Sequence, residues 1–229
     1  MGSSSPPLLL VIVPAYNEAK ALGDTLDALL PLASEVLVVD DGSRDDTAGI
    51  AMQKGATVLR HAINLGQGAA LQTGLTYAAD AAWPYVCTFD ADGQHDPADA
   101  LKMLDVLRDK NLDVVLGSRF MGATINMPLL RRLVLKGAVL FTWATQGVHL
   151  TDAHNGLRVM TVAAAQKFKL RQNRMAYASE LIDQIKLLGL RYAEVPVTIR
   201  YTQYSLAKGQ KNVGLFRILK DLTLSRLMR

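Results

Sequence analysis

A single cysteine in 229 residues, Cys87, leaves no internal disulfide and no cysteine-based zinc site to consider. One thiol is compatible with a reducing compartment. Long apolar runs are missing as well. The longest uncharged stretch in the middle of the chain, Gly137–Thr151, has 15 residues and includes Gln146 and His149. A membrane-spanning helix wants about 18 or more consecutive apolar residues. The run Leu8–Val13 is too short for a secretory signal core, follows no basic segment and stops at Pro14. Pro6 stands where N-myristoylation requires Ser or Thr. No RNA-recognition or zinc-finger motif occurs, which argues against sequence-specific nucleic-acid binding. Internal repeats and low-complexity linkers are absent too. With half its residues hydrophobic and a fifth charged, the chain has ordinary globular composition, long enough to bury roughly 70% of its unfolded surface.

Charge is present in modest net amount, +4, but unevenly. From Arg200 onward seven cations, Arg200, Lys208, Lys211, Arg217, Lys220, Arg226 and Arg229, face Asp221 alone, a net +6 that leaves residues 1–199 at −2. A near-neutral body with a basic end suits an anionic partner such as lipid head groups or phosphates.

The apolar pattern alternates between two periods. Leu8–Val13 and Glu35–Val39 read as buried strands, and Ala56–Leu59, Tyr85–Phe89 and a run starting at Val114–Gly117 read as further strands. Between them, Asn17–Leu32, Asp46–Lys54, Gly68–Asp80 and Asp99–Lys110 read as helices. That alternation predicts right-handed βαβ crossovers and a mainly parallel sheet with helices on both faces. Beyond Gly117, Leu129–Phe141 and Ala178–Leu188 read as helices. Ala193–Tyr201 reads as a strand whose Pro196 marks an edge or bulge, and Ser205–Asn212 as a polar loop. Leu215, Ile218, Leu219 and Leu222 line one face of a basic terminal helix.

Ligands of such sheets collect at the carboxyl ends of strands, and carboxylates stand there: Asp40 and Asp41 after the second strand, Asp90 and Asp92 after Phe89. The segment Asp90-Ala91-Asp92-Gly93-Gln94-His95-Asp96-Pro97 brings two oxygen-ligand residues two apart to one loop. That spacing suits Mg²⁺ or Mn²⁺, with substrate phosphate and water completing the shell. A calcium loop fails, because the positions requiring Gly and Glu carry His95 and Leu101. Asp96 before Pro97 also reads as a helix cap. Gly66-Gln67-Gly68 lacks the Lys-Ser/Thr of a phosphate loop and the third glycine of a dinucleotide fingerprint; it reads as a turn before a helix. The histidines His61, His95, His149 and His154 are scattered without zinc spacing and read as structural, His95 being the one beside the acidic motif.

Val13-Pro14-Ala15-Tyr16-Asn17-Glu18, Val38-Val39-Asp40-Asp41-Gly42-Ser43 and Asp90-Ala91-Asp92-Gly93-Gln94, in this order and spacing, resemble glycosyltransferase family 2. With Gly117-Ser118-Arg119, Asn155-Gly156-Leu157-Arg158 and Glu180–Gly189 they resemble its dolichol-phosphate mannosyltransferase-like subgroup. The resemblance implies a GT-A fold, an α/β architecture with a Rossmann-like nucleotide-binding half and an acceptor half. It implies one domain over residues 1–211, with 1–119 taking the nucleotide sugar, 120–211 the acceptor, and 212–229 forming a basic amphipathic helix. It implies inverting, metal-dependent hexose transfer. Pro14, Tyr16, Glu18, Asp41 and the Asp90-Ala91-Asp92 segment would line the nucleotide-sugar pocket, with Asp41 facing the base. Asp90, Asp92 and Gln94 would surround the metal, and Arg119 would contact phosphate through its fork of donors.

The subgroup further implies a polyprenyl-phosphate acceptor at the cytosolic membrane face. Arg131, Arg132, Lys136, Arg200 and Lys208 are the cations to hold its phosphate. Peripheral membrane contact is expected through Leu129–Phe141 and the terminal helix, which could equally serve self-association or a membrane-protein partner. A sugar-hydroxyl acceptor in polysaccharide assembly is the alternative and needs a general base, for which Asp152 and Glu180 are the candidates. A catalytically silent partner of another transferase is the second alternative, disfavoured by the intact Asp90, Asp92 and Gln94.

Overall fold

The computed structural model describes residues 8–146, 149–152, 154–174 and 176–209. Apolar runs rich in β-branched residues form the buried strands β1 (Leu9–Ala15) and β2 (Glu35–Asp40), with the half-buried edge strand β3 (Thr57–Arg60) and β4 (Tyr85–Thr88), each followed by a helix: α1 (Leu22–Leu29), α2 (Thr47–Gln53), α3 (Gln67–Asp80) and α4 (Pro97–Asp109). The second part holds β5 (Val114–Ile125), α5 (Leu129–Gln146), β6 (Arg158–Thr161), α6 (Val162–Ala165), α7 (Tyr177–Leu187), β7 (Tyr192–Arg200) and α8 (Gln203–Gly209).

One sheet takes all the described strands in the order β3-β2-β1-β4-β6-β5-β7. Neighbours are parallel except around β6, which runs antiparallel to both β4 and β5. The expected mainly parallel sheet is therefore present, with Pro196 on edge strand β7 beside the irregularity between Ser118 and Ala123. Alternate strand residues feed two apolar layers, as a pleat buried on both faces requires. Leu9, Val11 and Val13 pack with Leu22 and Leu26 of α1 and Met103 of α4. Leu10 and Ile12 pack with Leu71 and Leu75 of α3 and Leu181 and Ile185 of α7. At Gly74 of α3 a Cβ would lie 2.4 Å from Cγ2 of Ile12. Gly74→Ala should therefore lower stability by about 1–3 kcal/mol through overpacking, read from urea denaturation.

Three local expectations are corrected. The first helix begins at Leu22, not Asn17. Asn17 has φ +54°, and its N–H and that of Glu18 donate across to Ser43 Oγ and Thr47 Oγ1, both at 2.9 Å, which takes them out of a helix. Residues 205–209, expected as loop, belong to α8. Thr202 and Ser205 bond reciprocally there, each backbone N–H donating to the other's hydroxyl at 3.0 and 3.1 Å, as in a capping box. Strand β6 went unread because only four residues long, with Arg158 among them. Asp96 does cap α4, accepting from Ala98 N–H at 3.0 Å ahead of Pro97. The expected basic helix 212–229 lies outside the described residues.

Candidate active site

The carboxyl ends of β1, β2 and β4, three adjacent parallel strands, carry the residues expected at the donor and metal site, and the middle of β5 carries Arg119. The β4 exit carries the acidic pair. Asp90 Oδ2 is 3.0 Å from His95 Nε2, and Oδ1 accepts from Gln67 Nε2 at 3.2 Å. Burial works against the ionised form of Asp90. The hydrogen bond from His95 and the positive charges of Arg158 and Arg119 outweigh it and hold the carboxyl below the usual range. Asp92 goes the other way: burial, then the neighbouring charge of Asp90, push its carboxyl up to about 6. Two carboxylates with opposed shifts on one loop form a functional-site signature with a physical cause. Ala91 between them is buried, its carbonyl accepting from Thr25 Oγ1 at 3.2 Å. Gln94 N–H donates to Asp92 Oδ1 at 3.2 Å, and its carbonyl accepts from Arg200 N–H at 2.8 Å, pinning the loop to the end of β7.

On the β1 side, Pro14 is buried inside the strand, whereas Tyr16 is exposed just past it. Glu18 is buried and accepts from the Tyr204 hydroxyl of α8 at 2.8 Å. Asp41, expected to face the nucleotide base, is spent internally. His61 Nδ1 (2.7 Å) and Leu65 N–H (2.9 Å) meet one oxygen, Asn64 Nδ2 (2.9 Å) and Gly66 N–H (2.7 Å) the other. Four donors fill a carboxylate's acceptor sites, so Asp41 shapes the 61–66 loop.

Midway along β5, at the irregularity that follows Ser118, Arg119 is only 7% exposed. Its Nε donates to Asp152 Oδ2 at 2.6 Å, Nη1 to Tyr201 Oη at 3.0 Å and Nη2 to the His154 carbonyl at 3.2 Å. Its backbone N–H adds a bond to the same Asp152 oxygen at 3.0 Å. The guanidinium is thus engaged inside the protein, where its charge favours ionised Asp90, rather than lying open to a phosphate. Asp152, a candidate base, is the carboxylate partner of Arg119 and is buried with it. Glu180, the other candidate, accepts from Arg171 and Gln172 N–H at 2.8–3.1 Å and holds the segment before α7.

The expected acceptor cations divide. Arg131 stacks over the Tyr201 ring, 4.9 Å from its centroid, and so joins α5 to the Arg119 network. Arg132 and Lys136 are exposed and lack an ion-pair partner among the described residues. Arg200 is 3.6 Å from Asp96, and the Lys208 side chain lies outside the described part. Around them α5 exposes Leu129 (78%), Leu133 (68%) and Leu140 (65%).

Two residues that sequence reasoning did not assign stand close to Asp90. Gln67 was hidden in a glycine turn. Arg158, on β6, is 2% exposed, with its guanidinium over the Tyr177 ring at 5.5 Å; a charge inside a short apolar run was the available signal. A cavity of about 540 Å³ lined by Tyr85, Arg108 and Thr161 lies at the opposite, amino end of β4, away from this chemistry.

Comparison with known proteins gives the family and the fold. The family profile of glycosyl transferase family 2 matches residues 10–168. The chain is 30% identical over 242 residues to the UDP-N-acetylglucosamine–dolichyl-phosphate N-acetylglucosaminyltransferase of Methanococcus voltae, covering 96% of each chain. It is 29% identical over 219 residues to the undecaprenyl-phosphate mannosyltransferase of Micrococcus luteus, covering 90% of this chain and 88% of that one. Among solved structures, glucosyl-3-phosphoglycerate synthase from Mycobacterium tuberculosis, in complex with Mn²⁺ and UDP-glucose, superposes with a TM-score of 0.72 at 20% identity, covering 95% of this chain and 78% of that one. The fold is GT-A, and the chain is a glycosyltransferase belonging to family 2, in its dolichol-phosphate glycosyltransferase-like branch.

Proposed function

We propose that the protein transfers a hexose from a UDP- or GDP-linked donor to a polyprenyl phosphate at the cytosolic membrane face, with inversion, using Mg²⁺ or Mn²⁺ at Asp90 and Asp92. The observation that carries the acceptor class is the fate of the two candidate bases. Asp152 is locked onto Arg119 and Glu180 onto two backbone amides, so neither is poised to deprotonate a hydroxyl. An acceptor phosphate arrives as an anion and needs only cations. Arg132 and Lys136 offer these on α5, and two relatives carry lipid phosphates in their names. In the transfer, an acceptor oxygen bonds the anomeric carbon as its bond to the nucleoside diphosphate breaks, the electron pair leaving with the diphosphate. Residues 1–119 serve the donor and 120–211 the acceptor.

The residues fit a hard divalent cation. Asp90 and Asp92 supply carboxylate oxygens, with Gln94 beside them, and the carboxyl of Asp92 is raised first by burial and then by the charge of Asp90, both of which a bound cation would offset. Among the described residues no group of three His, Cys, Asp or Glu could hold the ion unaided, which suits a site completed by substrate phosphates. A bound divalent cation supplies positive charge to the departing diphosphate.

No described helix is long and apolar enough to cross a membrane. Instead α5, with exposed leucines interleaved by Arg132 and Lys136, would lie in the head-group region of an anionic bilayer. Each such cation is worth about 1 kcal/mol. Arg132→Gln with Lys136→Gln should therefore weaken binding to phosphatidylglycerol vesicles by roughly 30-fold in sedimentation assays. The test of the function is incubation with UDP- and GDP-hexoses, Mn²⁺ and a polyprenyl phosphate. A glycosyl phospholipid formed with Mn²⁺ and lost in EDTA supports the reading. Transfer only to a saccharide hydroxyl overturns it.

A further inference from the structure

The Asp90 carboxylate is held in one orientation from three sides. Asp90 Oδ1 accepts from the carboxamide of Gln67 at 3.2 Å, while Oδ2 is met by His95 at 3.0 Å. An ionised carboxylate only accepts, so the Gln67 amide presents its NH₂ group there. Gly156 closes the third side: a Cβ on it would lie 2.1 Å from Asp90 Oδ2.

Gln67 is delivered by its surroundings. Gly66 has φ +106°, and a Cβ there would lie 2.1 Å from the Asn173 carbonyl oxygen; one on Gly68 would lie 2.1 Å from that of Gln172. Both glycines thus let the chain press against residues 172–173, and Gly68 N–H donates to the Asn173 carbonyl at 2.9 Å. That wall is itself held by Glu180, through Arg171 and Gln172. On the other side Asp41 accepts from Leu65 and Gly66 N–H. Two carboxylates outside the acidic loop therefore build the seat of a single carboxamide.

We propose that Gln67 is a positioning residue of the acidic site, its carboxamide fixing the Asp90 carboxylate for the metal-bound nucleotide diphosphate. This rests on the reading of Asp90 and Asp92 as the metal-binding pair. Substituting Gln67 by Leu removes the donor at similar size, whereas Glu puts a third carboxylate beside the pair. Outer-shell partners of metal ligands are worth about 10–100-fold in metal affinity, and affinity rises with ligand charge count. Free Mn²⁺ counted by electron paramagnetic resonance, in the presence of UDP or GDP, should show Gln67→Leu about tenfold weaker than the unsubstituted protein. Gln67→Glu should be tighter, while sugar transfer falls in both. Opposite signs at one position exclude general damage. Equal Mn²⁺ affinity in all three proteins, or weakening in both variants, overturns the assignment.

A metal-free measurement separates this from the metal reading. In EDTA, the melting-temperature loss on Gln67→Leu should be smaller when Asp90 is already Asn, as contacting residues couple; equal losses in the two backgrounds overturn the inference. Failure of the unsubstituted protein to bind Mn²⁺ with nucleotide overturns the metal reading instead.

Discussion

Asp92→Asn should cut sugar transfer by about a thousandfold or more, since charge stabilisation by a catalytic metal amounts to several kcal/mol. The same substitution should make the metal-free protein more stable at neutral pH. Burial and the charge of Asp90 raise the Asp92 carboxyl from 3.8 to about 6, so above that pH the folded state carries an ionised group that the unfolded chain solvates better. For a raised carboxyl the sign follows directly: stability is fullest below the unfolded value, near 4, and is lost as pH climbs through about 6. Asparagine removes that loss. In EDTA at pH 7.5 the variant should melt roughly 2–6 °C higher, with the gain gone by pH 4. Calorimetric scans at the two pH values check it, and a lower melting point at pH 7.5 would contradict the strained pair. Activity and stability are opposed at this residue, as at many sites built to receive a ligand.

The second large effect is expected at Arg119 and Asp152. Their charges are buried together, with the guanidinium Nε 2.6 Å from the carboxylate. Removing one partner of a buried pair leaves the other uncompensated, at about 3–5 kcal/mol. Arg119→Met should lower the melting temperature by roughly 10 °C. Replacing both, Arg119→Met with Asp152→Leu, should recover most of that loss. If Asp152 were instead a general base, Asp152→Asn would leave melting unchanged and abolish transfer; thermal unfolding and turnover on the same samples separate the two roles.

Much of this molecule could be read from short-range pattern. The runs at Val11 and Val38 had to be buried strands, since β-branched residues with no polar alternation have nowhere else to pack. Asp90-Ala91-Asp92 was legible because its chemistry sits within three residues. What escaped was whatever depends on pairing across distance. Asp152 meets Arg119 over 33 residues, so each looked available for catalysis. Asp41 looked available for a base, and its four donors come from a loop that spacing alone could not fold back. Gln67 escaped because its two glycines accounted for a turn, and only the placement of residues 172–173 gives them a second purpose. Arg158 broke the apolar pattern of β6 and hid the strand.

Strand β6, the single reversal in the described sheet, has an evolutionary consequence. Because it runs opposite to β5, the chain between them leaves and re-enters the sheet at the same edge. Gly117 N–H donates to the Leu157 carbonyl at 3.0 Å, and Arg119 grips Asp152, tying the two stems together. The excursion in between, with α5 at its centre, is therefore a closed loop on an intact scaffold. Closing a longer or shorter loop changes the free energy only slowly with length. This segment can thus diversify by insertion or exchange while the parallel strands keep their register; under the proposed function, in which it serves the acceptor, that gives one transferase framework a separable module for new acceptors.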